Sequence, residues 1–136
     1  MRRAVLLLLL AGLVAPATAA QACDIVQVET LQTELPAAPT TVSPGRTLAL
    51  PLRVTRSGVA AAGIEVFAAL DGPDFAVYKS GTTGEDGTAV LPLAVPRTAR
   101  GPLEIDVQAY RTLVDLPCAG IEEYDRNALP WGRIGR

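Results

Sequence analysis

Apolar and polar residues alternate along most of this chain. Over residues 47–54, Leu48, Leu50, Leu52 and Val54 alternate with Thr47, Ala49, Pro51 and Arg53. That period of two turns one face of an extended strand to a core and the other to solvent. Pro51 has no amide hydrogen, which predicts an edge or a bulge at that point. Ile64, Val66, Ala68 and Leu70 alternate with Glu65, Phe67 and Ala69, and Phe75, Val77 and Tyr78 mark a short strand. Residues 88–95 set Ala89, Leu91, Leu93 and Val95 on one side, with Pro92 opposite. The cleanest run has Leu103, Ile105, Val107 and Ala109 against Glu104, Asp106, Gln108 and Tyr110. Residues 24–28 form a weaker opening strand, and 111–116 extend the last one.

Turn residues punctuate these runs: Ser43-Pro44-Gly45, Arg56-Ser57-Gly58, Asp71-Gly72-Pro73-Asp74, Gly84-Glu85-Asp86-Gly87 and Arg100-Gly101-Pro102. They supply the fixed or positive φ that tight turns require. No segment after residue 22 carries a capped 3.6-residue period, so no crossover helix exists for a parallel α/β sheet. The pattern predicts an all-β, antiparallel β-sandwich of about seven strands. Its expected core includes Leu50, Leu52, Val66, Leu91, Leu93, Ile105 and Val107.

Residues 1–22 follow different rules. Met1-Arg2-Arg3 is basic, Ala4 to Ala15 is an unbroken apolar run, and Pro16 to Ala22 is rich in small residues. This three-part order predicts a secretory signal peptide, cleaved after Ala19, Ala20 or Ala22. Twelve apolar residues make only about 18 Å of helix against a hydrocarbon core of about 30 Å, so a permanent anchor is not expected. The strongly apolar run favours the general secretory route over the twin-arginine one. The chain thus divides into a signal peptide (1–22), a sandwich (23–118) and a C-terminal tail (119–136), exported to the periplasm or the cell exterior. An alternative takes Cys23 as a lipidated first residue, although Ala20-Gln21-Ala22 departs from a lipobox.

Composition narrows the chemistry. Of 136 residues, two are cysteines and none is histidine. Export and an even count predict a Cys23–Cys118 disulfide. The absence of histidine excludes Ser-His-Asp, Cys-His and His-zinc sites. Without the signal peptide, ten basic side chains face fourteen acidic ones, and the arginines are dispersed, which excludes a nucleic-acid partner. The acidic turns Asp71–Asp74 and Glu85–Gly87 are read as turns and not as calcium ligands, so no metal or other cofactor is expected. Glu122-Glu123-Tyr124-Asp125-Arg126-Asn127 is read as a solvated acidic segment. A carboxylate- or calcium-dependent hydrolase is the least favoured alternative, because a glycosidase cleft needs aromatic walls and the chain has six aromatic residues.

The tail holds Tyr124, Leu129, Trp131 and Ile134 among Gly, Pro and Arg residues that do not readily form a strand. Aromatic and guanidinium groups are the usual binding anchors, so these four are the expected partner-binding residues. The competing expectation is that Trp131 folds back to cover an open end of the sandwich.

Val54, Gly58, Gly63-Ile64-Glu65-Val66-Phe67, the run from Gly81 to Leu93, Gly101 and the run from Ile105 to Ala109 together resemble bacterial immunoglobulin-like domains of the invasin and intimin type. The resemblance covers roughly residues 43–109. It implies a seven-strand sandwich serving as a spacer, adhesion or binding module without catalysis. The chain differs from that family in lacking an internal repeat, in its end-to-end cysteine pair and in its C-terminal stretch. These differences favour a free-standing exported module that binds a protein or a glycan, or that assists a larger exported assembly. A lipid-anchored exported protein of another role is the alternative.

Overall fold

In the run that alternates most cleanly, Leu103, Ile105, Val107 and Ala109 are buried and their even-numbered neighbours face outward. The same rule generates ten strands in the computed structural model, which describes residues 24–135. The expected signal peptide at 1–22, Cys23 and Arg136 lie outside the described residues. In chain order the strands are β1 (Asp24–Val28), β2 (Leu31–Glu34), β3 (Thr41–Val42), β4 (Thr47–Arg56) and β5 (Val59–Ala60), followed by β6 (Glu65–Asp71), β7 (Ala76–Thr82), β8 (Thr88–Ala94), β9 (Pro102–Leu116) and β10 (Ala119–Ile134). No helix occurs among the described residues, so none is long and apolar enough to cross a membrane.

Two sheets pack face to face as a β-sandwich. Sheet A has the order β1-β10-β9-β6-β7, with β3 also on β10; sheet B joins β2, β4 and β5, with β8 on β4. Pairing is antiparallel except that β1 and β3 run parallel to β10. The seven residues expected in the core are all buried, together with Val54, Ile64, Leu70 and Trp131. Each such aliphatic side chain contributes about 1.5 to 3 kcal/mol through its removal from water.

Pro51 behaves as its chemistry requires. The Val54 amide donates to the Gly87 carbonyl (2.8 Å), which fixes the phase of the β4–β8 ladder. Pro51 opposite Val90 and Pro92 opposite Ala49 therefore occupy positions whose nitrogens face away from the partner strand. Gly87 itself has φ +74°, and a Cβ there would stand 2.6 Å from the Val54 carbonyl oxygen. Only glycine fits that corner.

The expected tail is the main correction. Residues 119–134 form β10, a strand inside sheet A and not an appendage, and the short β2, β3 and β5 raise the strand number from about seven to ten. The inward positions of β10 include Glu123, Asp125 and Asn127, so its alternation is concealed by polar residues that find partners inside the molecule. Near its end a register shift between Pro130 and Arg133 accommodates Gly132 at φ +80°. A Cβ at Gly132 would lie 2.1 Å from the Pro39 carbonyl oxygen.

Candidate functional site

Alternation along β10 divides the four expected partner-binding residues. Tyr124 is half-buried and faces outward from sheet A, whereas Leu129 and Ile134 pack partly buried against the core. Trp131 is 1% exposed. The structure therefore does not bring the four onto one surface: Tyr124 leaves the strand on the side opposite to Leu129 and Trp131, as alternation requires, and the register shift between Pro130 and Arg133 turns Ile134 to the core as well. Trp131 lies in the core, where its Nε1 has no hydrogen-bond partner.

Tyr124 has different company. It stands in register with Tyr110 on β9, which in turn stands beside Glu65 on β6 and, beyond that, Thr82 on β7. The next row is Arg126, Gln108, Phe67 and Ser80, and the one after it is Ala128, Asp106, Ala69 and Tyr78. These rows form the outer face of sheet A, the side away from sheet B. They collect four of the six aromatic residues of the chain. Tyr78 is 71% exposed, and its ring stacks on Phe67 with centroids 6.0 Å apart and planes 28° apart.

The polar groups of this face are already ordered. Arg126 donates from Nε to Asp106 Oδ1 (3.0 Å) and from Nη2 to Asp106 Oδ2 (2.6 Å), a bidentate pair that fixes the guanidinium plane. That pair, together with the charge of Asp106, raises the Arg126 pKa further above its ordinary value. The Tyr110 hydroxyl is pushed up as well, first by its hydrogen bond to Glu65, then by burial and by the nearby charges of Glu65 and Glu122. It stays a neutral donor throughout the physiological range. The face thus offers aromatic surface, a fixed Asp–Arg pair, the Gln108 amide and several carboxylates.

The acidic segment 122–127 is also corrected. Glu123 is only 4% exposed. It accepts from Arg56 through Nε (2.6 Å) and through a second bond from Nη2, and from the Thr30 hydroxyl (3.0 Å). The Arg56 hydrogen bonds hold the Glu123 carboxyl below its ordinary range, against the opposing effect of burial. Asp125 accepts from the Thr33 amide (2.7 Å) and from Asn127 (3.1 Å). These carboxylates clamp β10 to β2 and β4 across the sandwich.

The other acidic turns are occupied by turn chemistry. Asp86 Oδ1 accepts from the amide (3.0 Å) and hydroxyl (2.7 Å) of Thr88, bonds that lower its pKa. Gly72 donates to the Phe75 carbonyl (2.9 Å), with the Phe75 ring filling the space a Cβ would need. Among the described residues no group of three His, Cys, Asp or Glu side chains is placed to hold a metal ion.

Phe67, Tyr78 and Tyr110 were not among the expected site residues. Their signal was their position: Phe67 and Tyr110 occupy outward places in clean alternating runs, where a large ring gains nothing from the core. Cys118 lies in the turn between β9 and β10, just before Ala119, which pairs with Asp24. Comparison with protein-family models and with curated proteins finds no match for this chain.

Proposed function

We propose that the protein is an exported, non-catalytic binding module that engages a protein or glycan through the outer face of sheet A. The observation that carries this reading is the set of Tyr124, Tyr110, Phe67 and Tyr78 on a sheet face that no other strand among the described residues covers. Aromatic rings beside a fixed Asp–Arg pair are the usual composition of a binding hot spot. The resemblance to bacterial immunoglobulin-like domains agrees with a module of this kind.

Export rests on the three-part segment at residues 1–22, and the module is then held by a Cys23–Cys118 disulfide. The register supports that bridge. Asp24, next to Cys23 in the sequence, pairs with Ala119, next to Cys118, and no free cysteine occurs among the described residues.

The test is a pull-down from the organism's envelope and exterior fractions, run beside a glycan array. Tyr110→Ala/Tyr124→Ala should lose captured material by thirtyfold or more in affinity, at about 2 kcal/mol for a hot-spot ring, while far-UV circular dichroism stays unchanged. A folded double variant that binds as well as the parent refutes this face as the site.

A further inference from the structure

The aromatic residues on the outer face of sheet A are not scattered over it. Tyr124 on β10 and Tyr110 on β9 share one row, Phe67 on β6 stands in the next, and Tyr78 on β7 stands in the one after that. They make a diagonal band across these strands. With strands about 4.8 Å apart and successive outward rows about 6.8 Å apart, the band runs for about 20 Å, the span of about six extended residues.

Carboxylates flank the band on both sides. Glu122 and Glu65 lie toward the row of Gln27, and Asp106, Glu104 and Asp71 lie toward the row of Pro130. The cation within these rows is Arg126, which Asp106 already holds. Lys79 and Arg111 stand in register with the buried Ala68 and Glu123, so they leave the sheet on its other side. Arg133 stands beside Pro102, beyond the row of Pro130. Glu65, Asp71, Glu104 and Glu122 take part in no ion pair among the described residues. Five carboxylates against one guanidinium leave these rows with a net charge of −4.

Resting on the reading of this face as the binding site, we infer that its occupant is an extended, arginine- or lysine-rich segment of a partner protein, laid along the aromatic band. Charge decides between the two partner classes. A sugar chain stacks on aromatic rings, but a neutral one leaves the net charge uncompensated and an acidic one is repelled. A guanidinium or ammonium group over a tyrosine ring is attracted by the negative face of the ring, and from there it reaches a carboxylate on either flank. Tyr78, at 71% exposure, offers such a ring.

The arrangement also sets what the partner segment looks like. Successive side chains of an extended chain leave on opposite sides, so every second residue faces the band, about three cations in a segment of this length. An acidic side chain at one of those places would meet the unpaired carboxylates and is excluded. Because the groups that attract one another are exposed, the attraction weakens as salt rises.

Fluorescence anisotropy with a labelled peptide of alternating arginine and serine tests the inference, with a peptide of alternating glutamate and serine as its counterpart. The purified protein should bind the first and not the second, and added salt should weaken the binding. Glu65→Gln/Glu104→Gln, one change on each flank, should weaken it by about tenfold or more. Glu29→Gln/Glu34→Gln removes the same charge at exposed positions away from this face and should leave it unchanged. Circular dichroism verifies that each variant is folded, and Asp71→Asn/Glu122→Gln serves if the first face variant is not. Failure to bind the arginine peptide, or equal weakening by the two double variants, overturns the cationic partner. If Tyr110→Ala/Tyr124→Ala nevertheless abolishes capture in the pull-down or on the glycan array, the face stands and only its occupant is wrong. If that variant captures as the parent does, the face falls and this inference with it.

Discussion

Strand β9 is two strands in one. From Leu103 to Ala109 its inward residues are fully buried beneath sheet B, while from Arg111 to Leu116 every residue is exposed. Both halves are equally extended and equally paired with β10. What separates them is company: the first half lies under a second sheet and pairs with β6 on its other edge, and the second half has neither. Strand formation here follows from backbone pairing, whereas stability follows from what lies across the sandwich.

The sharpest way to break the comparison is at Trp131, in the covered region. Trp131→Ala should lower stability by about 3 to 5 kcal/mol, measured by urea denaturation. Trp131→Phe should cost much less, because it keeps most of the ring and removes an indole N–H that has no acceptor. Ile105→Ala in the covered half of β9 should cost about 2 to 5 kcal/mol.

Reduction of the proposed Cys23–Cys118 bridge is expected to cost about 2 to 4 kcal/mol. Alkylation followed by intact mass, with and without prior reduction, reads the bridge itself. Uptake of reagent by the unreduced protein, or a lipid mass on Cys23, would rule it out.

Glu123 lies where the covered part of β10 meets its uncovered start. Glu123→Gln should cost about 1 to 3 kcal/mol, since it weakens bonds to a guanidinium that is itself partly exposed. The pH dependence follows from its depressed pKa. The stabilisation is present above the ordinary glutamate range and is lost as pH falls through that range toward the lower folded value. Acid melts of parent and Glu123→Gln should therefore converge at low pH; a constant gap would show that the ion pair is not its source.

The smallest effect is expected in the uncovered half. Leu116→Ala should change stability by less than about 0.5 kcal/mol, measured by urea denaturation. A loss comparable to that of Ile105→Ala would mean that this half of β9 is covered after all.

Most of the covered region was legible in the sequence. A strand with one buried face repeats its hydrophobicity every two residues, and 47–54, 64–70, 88–95 and 103–110 all do. β10 was hidden because three of its inward places hold Glu123, Asp125 and Asn127; Asn127 donates to Asp125, and the partners of the two carboxylates, Arg56, Thr30 and Thr33, are 67 to 93 residues away in the chain. No local pattern encodes such pairings. The binding face was half legible. Outward aromatics at Phe67 and Tyr110 could be read from the alternation, but their meeting with Tyr124 and Tyr78 depends on a strand order in which β10, β9, β6 and β7 are neighbours.

The parallel register of β1 and β10 also has a mechanical consequence. Asp24 stands beside the start of β10 and Gly135 follows its end, so a pull between these ends loads the β1–β10 ladder in shear, with its hydrogen bonds resisting together. With the Cys23–Cys118 bridge closed, tension entering at Cys23 crosses directly to Cys118 and runs along β10 alone. The remaining strands then lie outside the path of the force. Single-molecule stretching should show a long extension on rupture for the reduced protein and a short one for the oxidised protein; equal extensions in both states would dismiss this route.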